Sequence, residues 1–447
     1  MFFQKSKGVH APHRKNTANL APVKMPIPAV VTIPMSMHIG APAKPVVKVG
    51  DLVQVGQVIA EAGGFVSAPI HSSVSGKVKK LDEMLASNGS YMPVVVIETD
   101  GEQTPYEGLA PHPVQTCEEL VAAVRDSGIV GLGGAGFPTA VKLNADPQKV
   151  EAIVLNGAEC EPYITSDTRT MLDRSDELWA GIQLLKKIYS PEKIIIGIEK
   201  NKPECIAKYK DLCATTEGVA VCALPSMYPQ GGEKVLIRQT TGRIVPEGKL
   251  PLDVGAIVIN VTTLVSIVEY ITTGMPLVSK CVTVDGSAVA EPKNVIVPIG
   301  TSMQDVFQFC GGFKSEPMKV LYGGPMMGIS VPTLESPVLK NTNAIIAMDE
   351  TDAKLPPESA CIRCGRCISQ CPLNLQPTAL NAAYLEGDAE TLDKLKVGLC
   401  MECGCCNFVC PAHRQLVQSN KLGKALVRTY QMAQKAQEEK KKEGAAK

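Results

Sequence analysis

Aromatic side chains are scarce in this sequence: 8 Phe, 10 Tyr and the single Trp179 make up 4% of 447 residues. Set beside 38 glycines and 33 prolines, that scarcity argues against long helices and predicts many turns and short strands. Net charge is absent too. The 45 basic residues balance 45 acidic ones, so no field favours nucleic acid or anionic lipid, and no nucleic-acid partner is expected. Long hydrophobic runs are also missing. The nearest, GAIVINVTTLVSIVEYI over 255–271, is broken by Asn260 and Glu269 and falls short of the roughly 18 apolar residues of a membrane span. It reads as a buried strand followed by a helix. The opening MFFQKSKGVHAPHRKN lacks the apolar core of an export signal, so the protein is expected to stay inside the cell. What the chain does have is cysteine. Sixteen of them, where thiols are kept reduced, argue for metal ligation over disulfides.

A chain of this length predicts about three domains. Residues 1–28 are polar and Pro-rich and read as an extended arm that docks on something. Residues 29–113 alternate apolar and polar positions between glycine turns, as in VVKVGDLVQVGQVIAEAGG and APIHSSVSGKVKKL, which predicts a small β sandwich. This cadence resembles the barrel-sandwich folds of biotinyl and lipoyl carriers. A carrier needs a lysine at an exposed hairpin tip, and Gly63-Gly64 and His71-Ser72-Ser73 stand there instead. Residues 114–272 alternate helical and strand text and predict an α/β domain. Residues 273–340 read as a compact β-grasp module, 355–415 carry the ordered cysteines, and 416–447 form a charged, solvated tail.

The cysteine text is the most specific. Cys361-x-x-Cys364-x-x-Cys367-x-x-x-Cys371-Pro372 recurs as Cys400-x-x-Cys403-x-x-Cys406-x-x-x-Cys410-Pro411. Three thiolates at this spacing wrap one face of a 4Fe-4S cubane, and the fourth is displaced before a proline that redirects the chain. Zinc uses two Cys-x-x-Cys pairs and has no use for the third Cys or the terminal Cys-Pro. In two-cluster proteins the fourth Cys of each run ligates the other cluster. One cubane is therefore assigned Cys361, Cys364, Cys367 and Cys410, and the second Cys400, Cys403, Cys406 and Cys371. Cys405 would change the spacing and reads as a buried bystander. The 28 residues between Cys371 and Cys400 contain helical text, similar to the helical ferredoxins of respiratory iron-sulfur subunits. Two clusters in one domain form a wire, which needs a donor and an acceptor.

Gly131-Leu132-Gly133-Gly134-Ala135-Gly136-Phe137-Pro138-Thr139 contains G-x-G-x-x-G. A helix precedes it, and Phe-Pro-Thr follows where a Rossmann helix should begin, so a plain dinucleotide fingerprint is not expected. The glycines either form a simple turn or expose backbone N–H groups to a flat or phosphorylated ligand, with Lys142 neutralising a phosphate. The strand EAIVLN ends at Asn156, and polar residues crowd its carboxyl end, where open α/β sheets bind ligands. Glu159 and Glu161 there either accept bonds from ribose or flavin groups, or form an N-cap or a surface cluster.

GLGGAGFPTAVKL together with NGAECEPYITSDTRTM resembles the flavin and NADH site of the NADH-binding subunit of respiratory NADH dehydrogenases. The similarity to the RnfC/RsxC family of Rnf electron transport complexes is closer and runs from HAPHRKN through MHIGAPAKPVVKVGD to both cysteine runs. The resemblance implies a multidomain α/β and α+β protein: a barrel-sandwich β domain, an FMN/NADH-binding α/β domain, a β-grasp (SLBB-like) domain and a two-cluster ferredoxin domain. It also implies FMN held by Gly131, Gly133, Gly134 and Gly136, with Lys142, Asn156, Glu159, Glu161 and Asn260 completing the site. Phe137 would lie near a stacked NADH or else in the core. Glu233, in PQGGEKV, is the implied nucleotide-contacting glutamate, and Thr262 stands where the family has an acidic residue. A hydride carries two electrons and a cluster accepts one, so a flavin must join them. The implied activity is hydride exchange between NAD(H) and FMN, then single-electron steps through two 4Fe-4S clusters. It serves ferredoxin:NAD+ oxidoreduction coupled to Na+ or H+ translocation. The implied partners are the membrane and peripheral subunits of the Rnf complex, with ferredoxin acting indirectly. The implied place is the cytoplasmic face of the bacterial inner membrane, with the arm and the β-grasp module as docking parts. Two alternatives are a cobalamin reductase of bacterial microcompartments and a scaffold that only relays electrons.

Overall fold

The computed structural model describes residues 7–445. The first six residues of the expected arm and the last two of the tail lie outside the described residues. The chain forms two compact units, one of residues 13–226 with 236–353, the other of residues up to 12 with 227–235 and 354 onward.

The larger unit begins with the arm, which pairs a short strand β1 (Val23–Lys24) with a distant sheet. The barrel-sandwich part follows with β2 (Val30–Pro34), β3 (Lys44–Pro45), β4 (Leu52–Val53), β5 (Val58–Glu61), β6 (Ile70–His71), β7 (Gly76–Leu85) and β8 (Tyr91–Thr99). These form two sheets, ordered β2-β8-β7-β4 and β3-β5-β6. In VVTIP of β2 the alternation predicted from sequence is realised, Val31 and Ile33 being fully buried while Val30 and Thr32 are not.

Helix α1 (Cys117–Asp126) starts at a capping box in which Thr116 and Glu119 each accept from the other's backbone N–H. After it come α2 (Thr139–Leu143) and four parallel strands, β9 (Ala152–Gly157), β10 (Lys193–Glu199), β11 (Val219–Leu224) and β12 (Ala256–Asn260), in the order β11-β10-β9-β12. AIVLNG and KIIIGIE are nearly continuous apolar runs because both faces of a parallel sheet are covered. The covering helices are α3 (Ser166–Asp173), α4 (Ser175–Tyr189), α5 (Pro203–Cys213), α6 (Glu233–Thr241) and α7 (Val261–Thr273). One hydrophobic core joins this sheet to the barrel, with Val31 and Ile33 in the same cluster as Ile153, Leu155, Ile257 and Ile259.

The β-grasp part contains β13 (Ser279–Asp285), β14 (Lys293–Pro298), α8 (Met303–Phe309), β15 (Lys319–Tyr322), β16 (Ile329–Ser330) and β17 (Ala344–Met348), followed by α9 (Glu350–Ala353). Its sheet order is β1-β14-β13-β17-β15-β16. The module therefore needs more chain than residues 273–340: β17 lies between β13 and β15, and the arm supplies an edge strand. The arm docks on its own chain. Asn16 donates to the Asp285 carboxylate at 3.1 and 3.2 Å, the Thr17 and Thr165 hydroxyls meet at 2.5 Å, and Asn294 donates to Thr17 O at 3.0 Å.

In the smaller unit Val9 and Tyr228 exchange backbone hydrogen bonds of 2.7 and 2.9 Å. Residues 227–235, expected within the α/β domain, belong here instead. The Cys405 thiol donates to Tyr228 O at 3.9 Å, and Gly232 lies so close to Met401 that a Cβ would come within 2.3 Å of its methyl carbon. The remaining helices are α10 (Arg366–Ser369), α11 (Pro377–Leu385), α12 (Ala389–Lys394), α13 (Cys405–Phe408) and α14 (Leu416–Ala445). Leu380, Leu392, Val397 and Val427 join α11, α12 and α14 in one small core, which explains the helical text between the cysteine runs. The expected tail, 416–447, is α14 over its described residues, and its first turns are packed rather than solvated, with Leu416 and Val427 buried.

Candidate functional site

At the carboxyl end of β9 the chain turns sharply, with Glu159 at φ 47° and Tyr163 at φ 70°. Asn156 accepts from Ala158 N at 3.3 Å through Oδ1, tightening the first bend. The Glu159 carboxylate accepts from Asp167 N at 2.6 Å, from Thr168 N at 3.3 Å and from the Thr168 hydroxyl. It thus caps α3, so of its expected roles the geometry realises the cap. Glu161 accepts from Met326 N at 3.0 Å and Met327 N at 2.8 Å, fixing a loop of the β-grasp part. The arm holds the same segment from behind: Lys15 donates to the carbonyls of Glu159, Glu161 and Ile164 at 2.9, 2.8 and 2.5 Å. Burial pulls the Lys15 ammonium down to about 8.

The glycine loop lies beside this strand end. Gly131 N donates to Phe137 O at 2.8 Å and Gly136 N to Gly131 O at 3.1 Å, closing the loop on itself. A short helix, α2, does begin at Thr139 directly after Pro138, against the expectation that none starts there, and it carries Lys142, half-buried. Gly133 passes over Asn260, where a Cβ would stand 3.1 Å from Nδ2. Asn260 caps α7 by accepting from Thr263 N at 3.1 Å, and its amide donates to Asp167 Oδ2 at 2.7 Å. Thr262 donates to Asp167 Oδ1 at 2.6 Å. The acidic group that the resemblance places at Thr262 is therefore supplied at this spot by Asp167. Burial first, then the Glu159 carboxylate, push the Asp167 carboxyl up to about 6. Phe137 is half-buried at the end of the loop.

In the smaller unit Cys361, Cys364, Cys367 and Cys410 line one pocket with Gly365, Thr378 and Arg414. Cys371 stands within electrostatic reach of Cys403 and Cys400, and Cys406 of Cys400, Cys403 and Cys371. The first four thus share a pocket, with Cys410 beside the opening cysteines of the other run, and Cys371, Cys400, Cys403 and Cys406 lie near one another. Each group receives N–H donors: Arg363 N to Cys361 Sγ at 3.4 Å, Leu375 N to Cys371 Sγ at 3.3 Å and the Asn420 amide to Cys400 Sγ at 3.4 Å. Four sulfurs around a shared pocket, with amide donors to sulfur, fit a thiolate-held cluster. Cys405 is buried, donates to Tyr228 O and is hydrogen-bonded to Cys403, so it stands beside the second set of sulfurs.

Three stretches match models of known domains: residues 3–102 the RnfC barrel sandwich hybrid domain, 124–269 the Nuo51 FMN-binding domain and 281–330 the SLBB domain. The chain is 45% identical over 379 residues to the RnfC-type component of the proton-translocating ferredoxin:NAD(+) oxidoreductase complex of Clostridium ljungdahlii, covering 84% of this chain and 83% of that protein. It is 44% identical over 377 residues to the corresponding component of the Na(+)-translocating ferredoxin:NAD(+) oxidoreductase complex of Acetobacterium woodii, covering 83% and 85%. The chain belongs to the RnfC family of ion-translocating ferredoxin:NAD(+) oxidoreductase complexes. A further member, from the ion-translocating oxidoreductase complex of Rhodobacter capsulatus, is 39% identical over 407 residues, covering 88% and 76%.

As an RnfC, the chain is part of an oxidoreductase complex and works beside other subunits. Among its described residues no helix is long and apolar enough to cross a membrane. Glu233 opens α6 in the smaller unit, while the other expected flavin residues lie in the larger one. Sequence reasoning missed Asp167, Lys15, Lys280 and the segment 340–343. Asp167 had a signal, since Thr-Ser-Asp at the start of a helical stretch marks a cap. The others had none.

Proposed function

We propose that this RnfC binds FMN against the glycine loop, exchanges hydride between NAD(H) and the flavin, and relays single electrons through two 4Fe-4S clusters. The loop held open above Asn260, beside a strand end of a parallel sheet, carries this reading. Flavin supplies the conversion between two-electron and one-electron chemistry. The outward amides of the glycine loop and the Lys142 ammonium bind and orient the nucleotide. Asn156 and Asn260 fix the loops beneath it, Glu159 and Glu161 keep the strand-end segment in place, and Phe137 faces the nicotinamide nucleotide. Cys361, Cys364, Cys367 and Cys410 hold one cluster, and Cys371, Cys400, Cys403 and Cys406 the other. In this reading the barrel, the α/β part, the β-grasp part and the cysteine runs are separate functional modules, with the α/β part holding FMN and NAD(H).

The protein sits peripherally on the cytoplasmic face of the membrane, exchanging electrons with other Rnf subunits and, through them, with ferredoxin. Coupling to Na+ or H+ is a property of the complex. Relatives from complexes named for the proton and for Na+ are 45% and 44% identical to this chain, so likeness to these two does not choose the ion. Anaerobically purified protein is expected to carry about eight irons and one FMN per chain. NADH should bleach the flavin and raise the EPR signals of both clusters. Zinc in place of iron, or no flavin, would sink the proposal, and a flavin that NADH leaves oxidised would favour the relay scaffold.

A further inference from the structure

The carbonyls of the glycine loop are held from outside the α/β part of the chain. Leu132 O receives the Lys280 ammonium at 3.4 Å, Gly133 O the Asn343 amide at 3.4 Å and Gly134 O the Asn341 amide at 2.8 Å. Gly136 O receives the backbone N–H of Ile39, from the barrel, at 3.0 Å. The segment that carries the two asparagines is itself anchored. The buried Lys340 ammonium donates to Pro69 O at 2.5 Å and Gly128 O at 2.7 Å, and Lys280 donates to Lys340 O at 3.0 Å. A clamp made of Lys280 and residues 340–343 therefore cannot swing away from the loop without stranding several buried polar groups.

The other edge of the loop is open. Among the described residues no acceptor meets the amides of Gly133, Gly134 and Ala135, and all three residues are exposed. In a trans peptide the C=O and N–H point to opposite sides, so binding the carbonyls on one side turns the neighbouring amides to the other. Gly134 at φ 116° and Gly136 at φ 67° give the chain the freedom to do this, and a Cβ on Gly136 would stand 3.1 Å from the Asn341 amide nitrogen. Successive outward N–H groups form a concavity suited to an electron-rich ligand.

We infer that Asn341 and Asn343, backed by Lys280, are positioning residues of the flavin site, holding the glycine loop by its carbonyls so that its amides face the bound nucleotide. The inference rests on the FMN reading above and extends it. The match to the FMN-binding domain ends at residue 269, so the site is completed by the β-grasp part, which lies outside it.

The test uses full-length holoprotein freed of flavin and titrated with FMN, with the quenching of FMN fluorescence giving the dissociation constant. Asn341→Leu keeps the branched shape and removes the donor, and it is expected to weaken FMN about tenfold, equivalent to about 1.4 kcal/mol. Adding Asn343→Leu should weaken it further and shift the visible absorbance band of the bound flavin, while the iron content stays at the wild-type level. Asn341→Gln, which retains the amide on a longer stem, should recover part of the affinity and serves as the deciding variant if the leucine proteins fail to fold. Wild-type affinity in folded Asn341→Leu and Asn341→Gln proteins would overturn the inference. Failure of the wild-type protein to bind FMN at all would overturn the flavin reading, and this inference with it.

Discussion

Asp167 is enclosed, with one oxygen on the Asn260 amide and the other on the Thr262 hydroxyl, and its pKa is pushed from 3.8 up to about 6. The folded state thus holds a proton that the unfolded state has released. The associated stability is complete below pH 3.8 and is lost as pH rises through about 6. Asp167→Asn can keep both hydrogen bonds, because its carbonyl still accepts from Asn260 and its amide can donate to Thr262. It is expected to flatten the decline in stability between pH 4 and 6, read from urea midpoints across that range. Lys280 behaves in the opposite sense. Burial pulls its pKa down to about 7, so charging it costs stability below pH 7, and that cost is relieved as pH climbs from about 7 toward 10.5. Lys280→Met should remove this rise in the same measurement.

At the scale of elements, the two cysteine runs are repeats built on the same turn. The short helices α10 and α13 begin at Gly365 and Gly404, both in the left-handed region, which lets each run turn tightly after its second cysteine. Cys410 lies in the pocket of Cys361, Cys364 and Cys367. Cys410→Ser is therefore expected to lose the same EPR signal as Cys361→Ser and to keep the signal that Cys400→Ser loses. Iron should fall from about eight to about four per chain in each variant. If Cys410→Ser instead matched Cys400→Ser, the crossed assignment would be wrong.

On the scale of the molecule, Lys340 joins three parts of the larger unit. It stands between β16 and β17, and its ammonium reaches Pro69 O in the barrel and Gly128 O ahead of the glycine loop. Lys340→Met would leave the buried Gly128 carbonyl and the part-buried Pro69 carbonyl without this donor, so a loss of about 3 kcal/mol is expected. The single Trp179 lies on α4 against the core of this unit, so its fluorescence in urea reports that unfolding without interference from another indole. His71 lies beside the same ammonium. Burial, then the Lys340 charge, lower its pKa to about 3. The depressed value means the folded state keeps His71 neutral, so stability is complete above pH 6.5 and falls as pH drops from 6.5 toward 3. His71→Gln should lessen that acid sensitivity in the Trp179 signal.

The sequence by itself determined the cysteine repeat, because the spacing of the two runs is written along the chain. It also determined the glycine loop and the strand end at Asn156, both local patterns. The role of Glu159 was legible only as a choice among several, and its cap on α3 became visible only through the position of the Asp167 and Thr168 amides. Only the tertiary structure decided that Lys15 secures a segment some 149 residues away, that residues 227–235 pack with the cysteine runs, and that Asn341 and Asn343 grip the glycine loop. The reason is physical. These side chains bind main-chain carbonyls, and every residue offers one, so the partner leaves no mark in the sequence. Which carbonyl is met depends on how the barrel, the parallel sheet and the β-grasp sheet come together.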